Sequence, residues 1–330
     1  MYNVELFLDV EMQQACGDYF GIKPAGDDWE SMLRWRVELH RRLGYETVRV
    51  SPSNYDWPTR SAKSADTTGD GKNRGARSWQ DEGIGPITSR EDFEKYPWPD
   101  PAKADFKEFE WCEKNLPEGM CSYALTAHIL EYVMWLMGYE GLSMALYDQP
   151  DLVDAMFSKV GKNLVEFTRR IGQYKKMGIV WGSDDMGFKT GCMISPQVII
   201  EKSLPWHARC AEIAHEYGKL YFLHSCGQLD DIMDPLIENV KIDAKHSWED
   251  VILPVTEAKK KWGKRIGILG GIDVHFLCTA TEADVRKRVR ETLDACLSDG
   301  GYCLGTGNSV ANYIPMTNYI AMLDEGRNYC

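Results

Sequence analysis

Between about residue 120 and residue 325, short apolar segments alternate with longer amphipathic ones. The short segments have the length of buried strands, and the longer ones have the 3.6-residue periodicity of helices. Strands that alternate with helices imply parallel strands joined by helical crossovers. Seven strands are predicted, over residues 45–50, 120–126, 178–183, 219–224, 241–245, 265–269 and 301–304. Helices are predicted over 28–43, 128–146, 152–176, 196–217, 229–237, 248–262, 282–297 and 315–325.

This pattern fits either an open doubly wound sheet or a closed barrel. No Gly-x-Gly-x-x-Gly or Walker loop follows the first predicted strand, which removes the main support for a nucleotide-binding sheet. Polar residues follow many strands, and a barrel brings all those strand ends to one mouth. They are Ser51, Asp184, Asp185, His224, His246, Asp273, Thr306 and Asn308. We predict a (β/α)8 TIM barrel with an N-terminal helical and loop extension, one domain over 1–330, with a long loop or lid at 51–85.

Charge and cysteine content exclude several classes of protein. Lys and Arg number 38 and Asp and Glu number 50, for a net charge of −12, which argues against a nucleic-acid or anionic-membrane partner. No apolar stretch reaches the length of a membrane span, and residues 1–10 do not have the pattern of a secretory signal. We therefore expect a cytoplasmic protein whose ten cysteines are reduced thiols.

The sequence 223–227, Leu-His-Ser-Cys-Gly, places two possible metal ligands at the end of one strand. Residues two apart on a strand point the same way, so His224 and Cys226 both face the predicted mouth. Zinc binds imidazole nitrogen and thiolate sulfur, and a catalytic site needs about three protein ligands. A His-x-Cys pair alone is a weak signal, and packing is the alternative. Cys303, which ends the last predicted strand, is the candidate third ligand.

Several motifs together resemble the uroporphyrinogen decarboxylase superfamily. They are the sequences at 181–190 (WGSDDMGFKT), 223–227 (LHSCG), 269–273 (LGGID) and 305–309 (GTGNS), and the segment 85–100 resembles its uncharacterised branches. In this superfamily, corrinoid-dependent methyltransferases are recognised by a His-x-Cys pair and a distant Cys that bind zinc. The resemblance implies that His224, Cys226 and Cys303 are those ligands.

Two departures from the superfamily narrow the expected function. Porphyrinogen decarboxylases have an N-terminal Arg-Gln-Ala-Gly-Arg sequence for substrate carboxylates, and nothing in residues 1–60 matches it. Porphyrin decarboxylation is therefore not expected. In the coenzyme M-methylating branch the distant Cys falls closer to the position of Thr306, three residues after Cys303.

The acidic pair after strand 178–183 supplies catalytic candidates, together with a histidine on the next strand but one. Either Asp184 or Asp185 caps the following loop, or, as the resemblance implies, an acidic residue lies close to the metal. Asp184 is the candidate oxygen ligand that completes tetrahedral zinc. His246 is expected to hydrogen-bond a substrate oxygen or a carboxylate beside the metal, or else to pack in the core. The catalytic candidates are thus Asp184, Asp185 and His246.

The resemblance implies methyl transfer, and the residues suggest a substrate. Zinc with two thiolates and an imidazole can activate a thiol acceptor or polarise the oxygen of a methyl donor. Aromatic residues in loops and at strand ends, such as Trp57, Trp98 and Tyr313, favour an aryl methyl ether as donor. We expect Asn308 and Tyr313 to contact the corrinoid cofactor. No Asp-x-His-x-x-Gly corrinoid motif is present, so a separate corrinoid-binding protein is the expected partner.

Three alternatives remain open from the sequence. The chain can be a methylcobalamin:thiol methyltransferase of the coenzyme M type. It can be a metal-free decarboxylase or lyase of the superfamily, with Asp184 or Asp185 as the acid. It can also be a non-catalytic barrel that binds a corrinoid or a tetrapyrrole.

Overall fold

The computed structural model describes residues 2–64, 77–80, 83 and 85–329. Its strands are β1 Thr47–Arg49, β2 Ser61–Ser64, β3 Arg77–Gln80, β4 Cys121–Thr126, β5 Met177–Ser183, β6 Gly187–Phe188, β7 Gly191–Cys192, β8 Leu220–His224, β9 Ala244–His246, β10 Gly267–Leu269 and β11 Tyr302–Cys303. Seven of them form a parallel sheet in the order β1-β4-β5-β8-β9-β10-β11. The sheet curls around an apolar interior, which confirms the predicted α/β, TIM-barrel-like fold.

Helices connect these strands. They are α1 Val10–Phe20, α2 Trp29–Leu43, α3 Arg90–Lys95, α4 Lys107–Asn115, α5 Ile129–Met137, α6 Tyr139–Asp148, α7 Pro150–Gly172, α8 Pro196–Val198, α9 Leu204–Glu216, α10 Asp230–Pro235, α11 Val255–Trp262, α12 Val274–Thr279, α13 Glu282–Cys296 and α14 Met316–Arg327. A 3-10 helix spans Pro101–Lys103, and π-helical turns span Ile199–Ser203 and Leu236–Val240.

Two predicted helices differ from the structure. The helix predicted over 128–146 is divided into α5 and α6 at Gly138, whose φ of 80° is outside the helical region. The helix predicted over 248–262 begins only at Val255, because Pro254 precedes it with extended backbone and residues 247–254 form turns and loop. The predicted sheet strands are all present. Most are shorter than predicted, but β5 begins one residue earlier and β9 ends one residue later.

The N-terminal segment 3–8 lies along the free edge of β11. Asn3 forms a parallel bridge with Leu304, and Leu8 forms one with Val310. On the other side, the Arg49 guanidinium of β1 lies 5.6 Å from the centre of the Phe7 ring. Residues 3–8 therefore lie between the last and the first strand of the sheet, a role that the sequence did not suggest.

Alternate side chains of the strands fill the interior of the barrel. This interior cluster consists of Val4, Leu6, Tyr123, Ile179, Trp181, Phe222, Ala244 and Leu269, with Phe7, Leu125 and Cys303 packed against them. Large apolar side chains thus occupy the lumen, and the polar residues that end the strands lie above them. Such an interior is a packed core rather than a pore.

The predicted lid at 51–85 is only partly described. β2 and β3 pair as an antiparallel hairpin, and residues 65–76, 81, 82 and 84 lie outside the described residues. The described cysteines are free thiols. No helix among the described residues is long and apolar enough to cross a membrane.

Candidate metal and active site

Three potential metal ligands meet at the mouth of the barrel. Asp185 follows β5, and His224 ends β8 with Cys226 two residues later. Each offers one donor atom, and the three donor atoms all lie within 4.8 Å of one another. This is the one cluster of at least three His, Cys, Asp or Glu ligands found in the described part of the chain.

The distances from His224 to the other two donors match the edges of a tetrahedral zinc site. His224 Nε2 lies 3.5 Å from Cys226 Sγ and 3.6 Å from Asp185 Oδ1. With usual zinc–ligand bond lengths, the corners of a tetrahedron are about 3.4–3.6 Å apart. One nitrogen, one sulfur and one oxygen also form a donor set that zinc accepts, and three protein ligands leave a fourth position open. The residues present therefore fit a catalytic zinc ion.

His224 is already in the protonation state that binds a cation, whereas the Cys226 thiol has to lose its proton on metal binding. Burial, and then the negative charge of Asp185, raise the pKa of the Cys226 thiol well above its usual range. Burial lowers the pKa of His224 to about 3, so its imidazole is neutral at pH 7. A carboxylate beside a thiol is unfavourable for thiolate formation, and a bound divalent cation reverses this balance.

His246 sets the orientation of His224 through a short hydrogen-bonded chain. His246 Nε2 lies 3.1 Å from the Thr306 carbonyl oxygen, which can only accept, so Nε2 carries the hydrogen. Burial, followed by repulsion from His224, holds the pKa of His246 well below its usual range, and its ring carries one hydrogen. Its Nδ1 therefore accepts from His224 Nδ1, 2.8 Å away. The lone pair of His224 Nε2 is left facing Cys226 and Asp185, as a metal ligand requires.

The sulfur of Cys226 accepts a hydrogen bond from Asn308 and lies near the Ser247 hydroxyl, whose hydrogen is donated to a backbone carbonyl. Asn308 Nδ2 lies 3.3 Å from Sγ, and Ser247 Oγ lies 3.8 Å from it. Ser247 Oγ is also 2.9 Å from the Gly307 carbonyl oxygen. The loop 306–309 after β11 and the end of β9 thus converge on the sulfur.

Gly227 has the backbone conformation that this turn needs. Its φ is +86°, and a Cβ there would lie 2.1 Å from the carbonyl carbon of Gly187. The hairpin β6–β7 packs against this point, where Gln228 N donates to Phe188 O at 2.7 Å. Gly227 therefore turns the chain directly after the ligands. Gly305 has no positive φ; a Cβ there would clash with the Val4 carbonyl oxygen at 1.9 Å.

A buried lysine lies behind the site. Lys245 is 1% exposed, and its Nζ is 3.1 Å from the Ser225 carbonyl oxygen and 3.0 Å from that of Ser247. Burial lowers its pKa to about 8. Lys245 therefore joins the ends of β8 and β9, which carry His224, Cys226 and His246.

The two acidic residues after β5 have different surroundings, and this corrects the prediction for Asp184. Asp184 is fully buried and accepts from the backbone amides of Leu130 and Glu131, at 3.0 and 2.8 Å. His207 Nε2 lies 2.8 Å from the same carboxylate. Asp184 thus caps the first turn of α5, and its neighbour Asp185 is the one that faces His224 and Cys226.

Cys303 is not brought to this group. It packs against the interior cluster, in register with Leu269, whereas His224 lies two residues beyond Phe222 of that cluster. The chain after β11 reaches the site three and five residues later, at Thr306 and Asn308. The structure therefore offers Asp185, and not Cys303, as the third ligand.

A cleft lies next to Asn308, and none of the three donor residues lines it. Its volume is about 900 Å³, and Asn308, which bonds Cys226, forms part of its wall together with Tyr313. Phe276, Lys189 and Glu249 also line it. The predicted contact residues Asn308 and Tyr313 thus lie on one wall, and their role in cofactor binding stays a prediction.

Sequence reasoning missed several residues at the mouth. His128 follows the end of β4, and its Nδ1 is 3.0 Å from Glu131 Oε2, while burial lowers its pKa to about 4. Ser247 and Lys245 were missed as well. His128 and Ser247 are polar residues that follow predicted strands, so the criterion used for the other mouth residues would have found them. A lysine within a strand gives no such signal.

The comparisons with known proteins agree with this fold. The sequence model for the family described as uroporphyrinogen decarboxylase (URO-D) matches residues 85–329, about three quarters of the chain. The chain belongs to the uroporphyrinogen decarboxylase family. A search of curated proteins finds no match.

Two solved structures resemble this family member. A methyltransferase from Methanosarcina mazei superposes with a TM-score of 0.69 at 14% identity, covering 98% of this chain and 92% of that one. A protein from Listeria monocytogenes, described as a candidate vitamin-B12 independent methionine synthase, superposes with a TM-score of 0.50 at 14% identity. That match covers 99% of this chain and 97% of the Listeria chain. At such identities, the similarity establishes the shared fold alone.

Proposed function

We propose that this family member is a zinc-dependent methyltransferase. It moves a methyl group from a methoxylated substrate, an aryl methyl ether, to the Co(I) corrinoid of a partner protein. The observation that carries the proposal is the cluster of Asp185, His224 and Cys226 at the barrel mouth. Asn308, which bonds Cys226, also lines a cleft large enough for an aromatic ring. The Methanosarcina methyltransferase, which shares the fold, gives it further support.

In this proposal the three residues hold zinc through Oδ1, Nε2 and Sγ. Bound zinc supplies Lewis acidity at the cleft. Asn308 donates a hydrogen bond to the Cys226 sulfur, which spreads its negative charge and keeps it in place. His246 keeps the Nε2 lone pair of His224 directed at the site.

The cleft positions the methyl donor. Tyr313 and Phe276 offer apolar ring surface on its wall, and an aryl ring can pack against them. The methyl group leaves the ether oxygen for cobalt, the carbon–oxygen bond breaks, and the phenolate released takes up a proton. A phenolate is a far better leaving group than an alkoxide, so aryl ethers suit this chemistry. The corrinoid protein docks over the mouth of the barrel. The cytoplasmic location of this protein stays a prediction.

The test starts with metal content. Protein purified with zinc present should contain about one zinc per chain, as a single catalytic site requires. Incubation with a methoxylated phenol and chemically reduced cobalamin should release the free phenol and change the cobalamin spectrum. Removal of zinc should abolish both signals, and His224→Ala should do the same. Cys303→Ala is the matched control, since it removes a thiol that lies outside the cluster.

Other outcomes separate the alternatives. The protein can be tested for methylation of a thiol such as coenzyme M by methylcobalamin. If this occurs and aryl ethers are not demethylated, the protein is a methylcobalamin:thiol methyltransferase and not an aryl ether demethylase. Absence of zinc together with decarboxylation or elimination activity would overturn the metal-dependent proposal and favour a lyase.

A further inference from the structure

Glu5 is a buried carboxyl group that the proposed reaction does not use. It lies in the N-terminal segment 3–8 and is 4% exposed. Its Oε1 is 2.9 Å from the Thr306 amide nitrogen, and its Oε2 is 2.6 Å from Thr306 Oγ1. No basic side chain is found in hydrogen-bond contact with it among the described residues. Both of its oxygens are thus directed at one residue of the loop after β11.

The hydrogens available around Thr306 define the state of Glu5. Thr306 Oγ1 lies 2.5 Å from the Asn308 carbonyl oxygen as well as 2.6 Å from Glu5 Oε2. A hydroxyl has one hydrogen, and the carbonyl can only accept, so Thr306 donates to Asn308. Every group is satisfied when Glu5 is protonated and donates to Thr306. Burial agrees with this, since it raises the pKa of Glu5 to about 8.

Two connections lead from the Thr306–Asn308 loop to the proposed metal ligands. The Thr306 carbonyl oxygen accepts from His246 Nε2, and His246 in turn accepts from His224. The Asn308 side chain donates to Cys226 Sγ. A shift of this loop would therefore change the tautomer of one ligand and the hydrogen bonding of the other.

We propose that Glu5 is a positioning residue for the mouth of the barrel: by holding Thr306, it fixes the tautomers of His246 and His224 and the Asn308 bond to Cys226. Its effect on metal affinity rests on the proposed zinc site. Its effect on the histidine tautomers does not, because those hydrogen bonds exist without a metal. The N-terminal segment is thereby part of the functional site as well as of the barrel wall.

The test compares Glu5→Gln with Glu5→Met. A glutamine can accept from the Thr306 amide and donate to its hydroxyl, as a protonated glutamate does, whereas methionine of similar length does neither. Glu325→Met is the matched control, because Glu325 of α14 is 7% exposed and bonded to Arg286 and Arg290 of α13. Thr306→Val is a second variant, which keeps the Thr306 backbone and removes only the hydroxyl.

The first readout is ¹⁵N NMR of the histidine rings in metal-free protein. Wild type, Glu5→Gln and Glu325→Met should show His224 with its hydrogen on Nδ1 and His246 with its hydrogen on Nε2. Glu5→Met should give mixed tautomers. Thr306→Val should also give mixed tautomers, and it replaces Glu5→Met in the test if that variant does not fold. Unchanged ring signals in a folded Glu5→Met or Thr306→Val protein would overturn the proposal, and so would mixed tautomers in Glu5→Gln.

The second readout is zinc affinity, measured by competition with a chelator. Glu5→Met should lose roughly 10-fold, as expected for a change behind metal ligands, and Glu5→Gln and Glu325→Met should stay close to wild type. Equal affinity in all four proteins would contradict the proposal. Lack of zinc binding in wild type would overturn the proposed function instead, and the NMR result would still decide the role of Glu5.

Discussion

His224 Nδ1 and His246 Nδ1 lie 2.8 Å apart, and only one of the two rings can be the donor of the hydrogen bond between them. Because His246 Nε2 donates to the Thr306 carbonyl, His224 must be the donor between the two rings. Neither ring can then turn or change tautomer without losing a buried hydrogen bond. The orientation of the proposed metal ligand thus depends on two residues that do not touch the metal.

We predict that His246→Phe will weaken zinc binding by roughly 10- to 100-fold, the range seen when the hydrogen-bond partner of a ligand is removed. The substitution keeps an aromatic ring of similar size and removes the acceptor for His224. His215→Phe is the control, since His215 bonds Asp243 on the outer surface. Chelator competition checks both, and equal affinity of the two variants would show that His224 needs no partner.

Cys226 and Cys303 should respond differently to the same substitution. Cys226→Ser removes the sulfur donor of the cluster and should abolish stoichiometric zinc binding. Cys303→Ser changes a side chain that packs against the interior cluster, so zinc content should stay at about one per chain, with some loss of stability. Elemental analysis of the two folded proteins measures their zinc content. Loss of zinc from Cys303→Ser would show that Cys303 is a ligand after all.

Substitutions of the adjacent residues Asp184 and Asp185 should have different effects, the first on stability and the second on metal binding. Asp184→Ala removes an acceptor for two backbone amides and His207, and should lower the free energy of unfolding by on the order of 3 kcal/mol. Asp185→Asn should leave stability close to wild type and weaken zinc binding. Urea unfolding and chelator competition on both variants test this, and the reverse pattern would contradict the assignment.

Glu5 should make stability depend on pH. Its pKa is raised from 4.5 to about 8, so between these values the folded state keeps a proton that the unfolded state releases. The contribution of Glu5 to the free energy of unfolding is fully present below about pH 4.5. It falls as pH rises, by up to about 1.4 kcal/mol per pH unit, until about pH 8. Relative to wild type, Glu5→Gln should therefore gain stability from pH 5 to pH 8. Urea unfolding at several pH values measures it, and a constant difference would mean that Glu5 is not protonated in the fold.

Gly227 should be intolerant of a side chain. Gly227→Ala places a Cβ against Gly187 at positive φ, so we expect a loss of at least about 1 kcal/mol and weaker zinc binding. Gly141→Ala is the control: it is in α6 with no atom within 4 Å of the added Cβ, and should be neutral or stabilising. Thermal unfolding compares them, and a stable, zinc-binding Gly227→Ala would show that the hairpin β6–β7 can move.

The local features of this protein follow from its sequence alone. Helix and strand periodicity gave the α/β alternation, because these periods follow from backbone geometry within one element. The same geometry placed His224 and Cys226 on one side of one strand. The turn at Gly227 was also predictable, since its cause lies in the residue itself.

Which residues from different strands meet depends on how the whole chain packs. Asp184 and Asp185 are adjacent, yet the first caps α5 and the second faces the mouth. Cys303 is a suitable ligand by type, but the stagger between neighbouring strands brings Thr306 and Asn308 to the site instead. The role of Glu5 depends on a partner some 300 residues away, at the edge of the last strand. Contacts of this kind come from packing between distant segments, for which local periodicity holds no information.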